Sequence, residues 1–126
     1  MFEVSTGERV EVIDVTRRVD EALPDDADGT ATVFVPHTTA GVTINEAESG
    51  LFGDVETALA RLVPEDDDYA HDRIDDNADA HLRSMLVGSS VTVPVADGSP
   101  ELGTWQSVLF VECDGPRTRR VRVVTG

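Results

Sequence analysis

Apolar and polar residues alternate along several short runs of the chain, a spacing typical of β-strands with one buried face. The clearest runs are Ala31–Val35, which stops at Pro36, and Val42–Glu46. Proline cannot donate a ladder hydrogen bond, so Pro36 marks the end of a strand. Weaker runs predict four more strands, at residues 8–13, 90–95, 104–112 and 117–124, with turns at 5–7 and 96–100.

Three segments instead carry apolar residues at helical spacing. The first begins at Asp14, a typical N-cap residue, and stops at Pro24. The third is capped by Asp76 or its neighbour and stops at Gly88, with Ala78, Leu82, Met85 and Leu86 expected to face the core. The second has the clearest apolar stripe, ends at Pro64, and comprises Leu51, Val55, Ala58, Leu59, Leu62 and Val63.

The length of 126 residues fits one domain, 1–126, with a core of its own. No apolar run is long enough to cross a bilayer, and the N-terminus lacks the basic and apolar regions of a signal peptide, so a cytoplasmic location is expected. The single cysteine, Cys113, has no internal disulfide partner. Any metal site would therefore depend on histidines and carboxylates.

The formal charge is −15, and every cationic side chain is an arginine. Such a surface repels nucleic acids and anionic membranes, so neither is an expected partner. An acidic surface without lysine is typical of adaptation to high salt, where the Debye length falls to about 3 Å at 1 M and self-repulsion is screened. We therefore expect a halophilic protein whose stability rises with salt.

The stretch from His37 to Glu46 brings a histidine, an amide and a carboxylate to the ends of two predicted strands. Val42, Ile44 and Glu46 share one strand face, so Glu46 ends an apolar surface. A carboxylate there needs a partner, a metal or water, because burying it unpaired costs several kcal/mol. A functional site and an exposed strand end are both consistent with these residues.

Two arginines near the C-terminus form another candidate. If 113–116 is a four-residue hairpin loop, Glu112 faces Arg117 and Phe110 faces Arg119 on the paired strands. This arrangement is either an exposed cross-strand ion pair of little energetic value or a fork that binds phosphate or carboxylate.

Two histidines lie in the middle of the chain. Asn77 and His81 are one turn apart at the margin of the third predicted helix, and His71 lies in a loop that Tyr69 is expected to anchor. A lone histidine in such a place is more often a hydrogen-bonded core residue than a ligand.

Together these segments resemble the YjbQ family, whose members are also described as secondary thiamine-phosphate synthases. The segment 47–53 departs from the family pattern, in which many members have an Asn/Asp- and Pro-containing connection. The matching blocks follow one another in the family's order and spacing over most of the chain: His37–Glu46, Asp54, Tyr69–Asp72, Asn77, Ala80–Leu82, Gly88–Ser90, Pro94, Leu102–Gln106 and Glu112–Arg117.

The resemblance implies a single α+β domain with an antiparallel β-sheet core and about three helices packed on it. It also implies a homotrimer, and an enzyme that joins a pyrimidine diphosphate to a thiazole phosphate with release of pyrophosphate. That activity is described as secondary in the family, so the site can serve another main reaction.

On this interpretation the catalytic residues are Glu46, His37 and Asp54. His37, His71 and His81 are expected to hold one divalent ion, zinc or else magnesium, with an open fourth position, although no local spacing motif supports it. The residues expected to bind the small phosphorylated substrate are Asn45, Asn77, Thr104, Trp105, Gln106, Arg117 and Arg119.

Two other functions are consistent with the same residues. The first is a metal-dependent hydrolase of a small phosphorylated or acyl compound, with a metal-bound water as nucleophile and Glu46 as base. The second is a non-enzymatic trimer whose site holds a metal or an anion.

Overall fold

Eight strands form two antiparallel sheets in the computed structural model, which describes residues 1–126. The larger sheet contains β1 (Phe2–Ser5), β3 (Gly29–Phe34), β5 (Ser90–Ala96), β6 (Ser99–Pro100) and β8 (Thr118–Thr125). Its strand order is β1-β8-β3-β5-β6. The smaller sheet contains β2 (Glu11–Asp14), β4 (Ala40–Asn45) and β7 (Ser107–Glu112), with β7 in the centre. The predicted α+β domain with antiparallel strands is confirmed.

Three α-helices accompany the sheets: α1 (Thr16–Ala22), α2 (Ser49–Leu62) and α3 (Ala78–Val87). A 3-10 helical turn spans Ala70–Arg73. Asp14 ends β2 and lies one residue before the helix cap, but its carboxylate still accepts a hydrogen bond from the Thr16 N–H at 3.0 Å. Gly88 ends α3 as predicted, with a φ of 99° that favours glycine. No helix combines the length and apolarity that a membrane crossing requires.

The elements stack in three layers with β7 in the middle. Val108 and Phe110 of β7 pack against Val33 and Val121 of the larger sheet, because alternate residues of a strand point to opposite faces. Leu109 and Val111 point the other way, toward α2 and α3. Both faces of β7 are therefore buried, which explains its continuous apolar sequence.

The strand boundaries differ from the prediction at the N-terminus. A strand was predicted at 8–13, but β2 covers only Glu11–Asp14. β1 was not predicted at all, because a turn was assigned to 5–7; this strand pairs with β8 and buries Val4. A four-residue strand carries too little alternation to be recognised alone. It is stable only because β8 offers a free edge.

The predicted face of α3 is wrong for three of its four residues, since only Ala78 is buried as expected. Leu82, Met85 and Leu86 are 39%, 77% and 62% exposed, while Asp79 and Arg83 are buried. A similar error affects α2, where Leu59 is buried as expected but Ala58 and Leu62 are exposed.

An ion-pair network explains the orientation of α3. Arg9 donates to Asp79 at 2.8 Å, and Arg83 lies 3.4 Å from the same carboxylate. The Arg83 guanidinium also donates to the carbonyl of Val63, the residue that follows α2. Charged side chains are buried only when they are paired in this way, a condition that helical periodicity does not reveal.

The predicted hairpin between β7 and β8 is also wrong. Both edges of β7 are occupied, by β2 and β4, so β8 cannot pair with it and joins the larger sheet instead. The connection 113–117, which contains a cis Gly115–Pro116 bond, crosses between the sheets. Glu112 consequently faces Arg119 and not Arg117.

A candidate histidine cleft

An open cleft of about 630 Å³ lies between the end of β3 and α3. We call it the histidine cleft, because His37 and His81 both line it. Its volume lies within the range of small-molecule sites. Gly41 lies nearby, where a side chain would collide with the Gly88 carbonyl and Val87, so glycine lets β4 approach the end of α3. The other lining residues include Phe34, Thr38, Ser84 and Met85.

The end of the β3–β8 ladder positions His37. Phe34 pairs with Arg122, so a continued ladder would place Pro36 opposite Arg120. The ladder stops before that point, and the Arg120 N–H instead donates to Nε2 of His37 at 2.9 Å. The imidazole therefore supplies the acceptor that the strand no longer provides.

This hydrogen bond assigns the protonation state of His37. A ring nitrogen that accepts a hydrogen bond carries a lone pair, so the proton of the neutral ring is on Nδ1. Burial of the ring, together with the positive charge of Arg119, lowers the pKa of His37 below its ordinary value. His37 is thus held neutral, with Nδ1–H as its remaining polar group.

His71 and His81 lie against each other at one side of the cleft. Their ring centroids are 4.6 Å apart, and the rings meet edge to face. The Tyr69 hydroxyl donates to the Pro64 carbonyl at 2.6 Å and anchors the segment that carries His71, as the sequence predicted. Because His81 lines both the histidine cleft and a smaller hollow that contains His71, it connects the three histidines.

The three histidines do not fit one metal ion within a single chain. No group of three or more His, Cys, Asp or Glu side chains could hold a metal there. His71 and His81 are neighbours, but Nε2 of His37 is occupied by Arg120 and its Nδ1 carries the proton. A shared zinc or magnesium ion would need a rearranged His37 or a ligand from another molecule, and it stays a prediction.

Arg119 is not available for an anion fork. Its Nε donates to Glu112 at 2.9 Å, and its Nη2 donates to Glu112 and to the Thr39 hydroxyl. Both charged side chains are buried, with Glu112 0% exposed. Burial alone would raise the pKa of Glu112, but hydrogen bonds from Arg119, the Asp114 N–H and the Thr6 hydroxyl outweigh it and hold the pKa below its usual range.

Arg117 and Asn77, two predicted substrate residues, meet at Asp114. The Asn77 amide donates to the Asp114 carboxylate at 2.9 Å, and Arg117, whose side chain is 52% exposed, donates to it at 3.0 Å. Oδ1 of Asn77 is buried without a partner. Asp114 lies within the matching block 112–117 but is not among the predicted site residues.

Other predicted site residues form a separate group. Asn45, Glu46, Trp105 and Gln106 surround a hollow of about 210 Å³, which we call the Trp105 hollow. Trp105 is 74% exposed, and the side chain of Gln106 accepts the Gly103 N–H at 2.8 Å, which shapes the loop that presents the indole.

The Trp105 hollow and the histidine cleft lie at opposite ends of the β4–β7 pair. Ala40 pairs with Glu112 at one end and Asn45 with Ser107 at the other, a span of roughly 17 Å. Thr104 is exposed beside the hollow, whereas Asp54 is exposed on α2 and lines neither site. One chain therefore does not unite the residues that the sequence analysis assigned to a single site.

These features define a small α+β protein with a histidine-lined cleft beside the open end of an antiparallel sheet. The chain belongs to the family described as UPF0047 protein YjbQ-like, whose profile matches residues 1–125. It is 51% identical over 120 residues to a UPF0047 protein of Archaeoglobus fulgidus, covering 95% of this chain and 94% of that protein. It is 40% identical over 123 residues to UPF0047 protein YugU of Bacillus subtilis, covering 94% and 91%.

Solved structures agree with this assignment. The crystal structure of a hypothetical protein from Aeropyrum pernix K1 superposes with a TM-score of 0.95 at 42% identity, covering 99% of this chain and 95% of that one. A YjbQ/UPF0047 family protein of Clostridium acetobutylicum gives a TM-score of 0.92 at 39% identity, covering 99% and 98%.

Proposed function

We propose that this chain is a cytoplasmic enzyme that joins a pyrimidine diphosphate to a thiazole phosphate in the histidine cleft and releases pyrophosphate. The observation that carries the proposal is the cleft itself. It is large enough for small phosphorylated compounds, and it holds His37 as a neutral hydrogen-bond donor beside the His71–His81 pair.

In the proposed reaction the thiazole nitrogen attacks the pyrimidine methylene carbon, a C–N bond forms, and the C–O bond to the diphosphate breaks. Pyrophosphate leaves with the electron pair, so negative charge grows on the departing oxygen. Nδ1–H of His37 and a ring N–H of His81 are the donors that would stabilise this charge. Phe34 and Met85 supply apolar surface for the heterocyclic rings.

The reaction is tested by supplying both substrates in molar KCl and measuring thiamine phosphate and pyrophosphate by chromatography, with and without added zinc or magnesium. Each substrate alone provides the comparison. Coupled product formation supports the transferase. Phosphate or pyrophosphate release from one substrate alone would instead support the hydrolase, and no turnover at all would leave only the non-enzymatic binding role.

Two variants connect the activity to the cleft. His37→Gln and His81→Gln should each lower turnover by about 100-fold, the typical loss when one donor to a developing charge is removed. Glu21→Gln, an exposed change on α1 outside the cleft, is the matched control and should keep wild-type turnover. Melting curves on the same samples show whether each variant is folded. Wild-type turnover in folded His37→Gln and His81→Gln would refute a reaction in this cleft.

A further inference from the structure

The face of the larger sheet that points away from β7, which we call the outer face, carries an unusual charge for this chain. Arg120 and Arg122 occupy alternate positions of β8 and are both exposed, so their side chains point to the outer face. Glu3 is the only acidic residue in the five strands of this sheet, although the chain contains 25 acidic residues. Two arginines against one glutamate leave the outer face with a charge of +1, whereas the whole chain has a charge of −15.

The two arginines lie beside the histidine cleft. Arg122 pairs with Phe34 in the β3–β8 ladder, so their side chains are neighbours on the outer face, and Phe34 lines the cleft. Arg120 lies two residues beyond this last pair of the ladder, where its N–H donates to Nε2 of His37 at 2.9 Å. Successive residues on one face of a strand are about 7 Å apart, so both guanidinium groups can reach one ligand at the mouth of the cleft.

Both guanidinium groups are free to bind a ligand. Arg117 and Arg119 each donate to a carboxylate of their own chain. The guanidinium groups of Arg120 and Arg122, by contrast, make no hydrogen bond or ion pair within the chain. Glu3 pairs with Arg120 in the β1–β8 ladder but forms no ion pair with it. A free guanidinium group presents planar donors that match two oxygens of a phosphate group.

We propose that Arg120 and Arg122 form a binding site for the diphosphate group of a small phosphorylated compound, at the mouth of the histidine cleft. Naming that compound a pyrimidine diphosphate rests on the proposed function, whereas the anion site rests on the two arginines. The ring of the compound packs against Phe34, and the diphosphate lies at the solvent side of His37. The outer face thus takes the role that the sequence analysis assigned to a fork of Arg117 and Arg119.

The charge of the chain explains why such a pair is needed. Carboxylates elsewhere on the surface repel an anion that approaches the protein, so two adjacent cations are required to attract a diphosphate to the cleft. A diphosphate is long enough to engage both Arg120 and Arg122, whereas a single phosphate satisfies only one of them. The site should therefore bind pyrophosphate more tightly than phosphate.

Binding of inorganic pyrophosphate tests the site without turnover. Isothermal titration calorimetry compares the wild type with Arg120→Met and Arg122→Met, each of which keeps an apolar stem and removes one guanidinium group. The Kd for pyrophosphate should rise about tenfold or more in each variant, because a hydrogen bond between charged groups contributes at least that factor. Arg61→Met is the matched control, since Arg61 is exposed on α2 and its loss changes the net charge equally. Its Kd should stay within about twofold of the wild type, the size expected when only the distant field of the protein changes.

The titrations are made at one KCl concentration at which melting curves show that all four proteins are folded. The proposal is overturned if pyrophosphate does not bind the wild type, if it binds no more tightly than phosphate, or if the Arg120 and Arg122 variants bind it as Arg61→Met does. Weakened binding in both variants of a protein that has no synthase turnover would retain the anion site and refute only the reaction. Turnover with an unchanged KM for the pyrimidine diphosphate in both variants would retain the reaction and refute the anion site.

Discussion

The buried pair of Arg119 and Glu112 should dominate the stability of the connection between the two sheets. Replacing Arg119 with Met keeps most of the apolar stem but leaves the Glu112 carboxylate without its cation. That carboxylate is 0% exposed and retains only hydrogen bonds from the Thr6 hydroxyl and the N–H groups of Cys113 and Asp114. Removing one partner of a buried ion pair costs about 3–5 kcal/mol of unfolding free energy.

The assay is urea unfolding at fixed molar KCl, because guanidinium chloride would itself change the ionic strength. With an m-value of about 1.5 kcal/mol per M, the midpoint of Arg119→Met should fall by roughly 2–3 M. Arg120→Met is the matched control, since its side chain is exposed on the opposite face of β8. Its backbone N–H still bonds His37, so its unfolding free energy should change by less than about 0.5 kcal/mol. If Arg119→Met lowered the free energy of unfolding by less than about 1 kcal/mol, the reasoning would be refuted, because the pair would then contribute no more than a surface ion pair does.

The pH dependence gives a second check on the same pair. Because the folded-state pKa of Glu112 is lowered, its stabilising contribution is complete above the unfolded pKa of about 4 and is lost as the pH falls through the folded value. The stability difference between the wild type and Arg119→Met should therefore be largest near neutral pH and narrow below about pH 4. A difference that stays constant from pH 7 to pH 3 would contradict the assigned ion pair.

The remaining predictions concern salt, assembly and metal. The melting temperature should rise from dilute buffer to molar KCl, because screening reduces the repulsion among carboxylates of a chain with a charge of −15, and no rise would refute the halophilic interpretation. Light scattering in high salt should give the mass of a homotrimer, and a monomer would exclude any site shared between chains. If the three histidines bind one zinc ion in the assembly, elemental analysis should find about one zinc per site. His37→Ala, His71→Ala and His81→Ala should each lose most of it, whereas an unchanged metal content would make them structural residues.

The histidines show how far sequence reasoning reached into the site. Pro36 correctly predicted that β3 ends shortly before His37, which lies in the connection to β4, because proline is a local signal. The predicted position of His81, at the margin of an apolar face of α3 directed to the core, was wrong because that face is exposed. The sequence does not predict that His37 and His81 line the same cleft, because this depends on how β3 and α3 pack around β4. The tautomer of His37 depends on the Arg120 N–H, 83 residues away, which only the folded ladder brings close.

Local sequence patterns were sufficient to predict most helices and strands of this protein and to recognise its family. Alternation, Pro36, Pro64 and Gly88 gave most strand and helix limits, because these signals act on neighbouring residues. The partners of those elements depended on the tertiary structure. β7 cannot pair with β8 because β2 and β4 already fill its edges.

The burial of charged side chains was likewise decided by the tertiary structure. Whether a charged side chain faces solvent or the interior depends on a partner distant in the sequence, and no periodicity encodes it. The pairing of Asp79 with Arg9 turned Leu82, Met85 and Leu86 of α3 outward. The pairing of Glu112 with Arg119 turned a predicted anion site into part of the core.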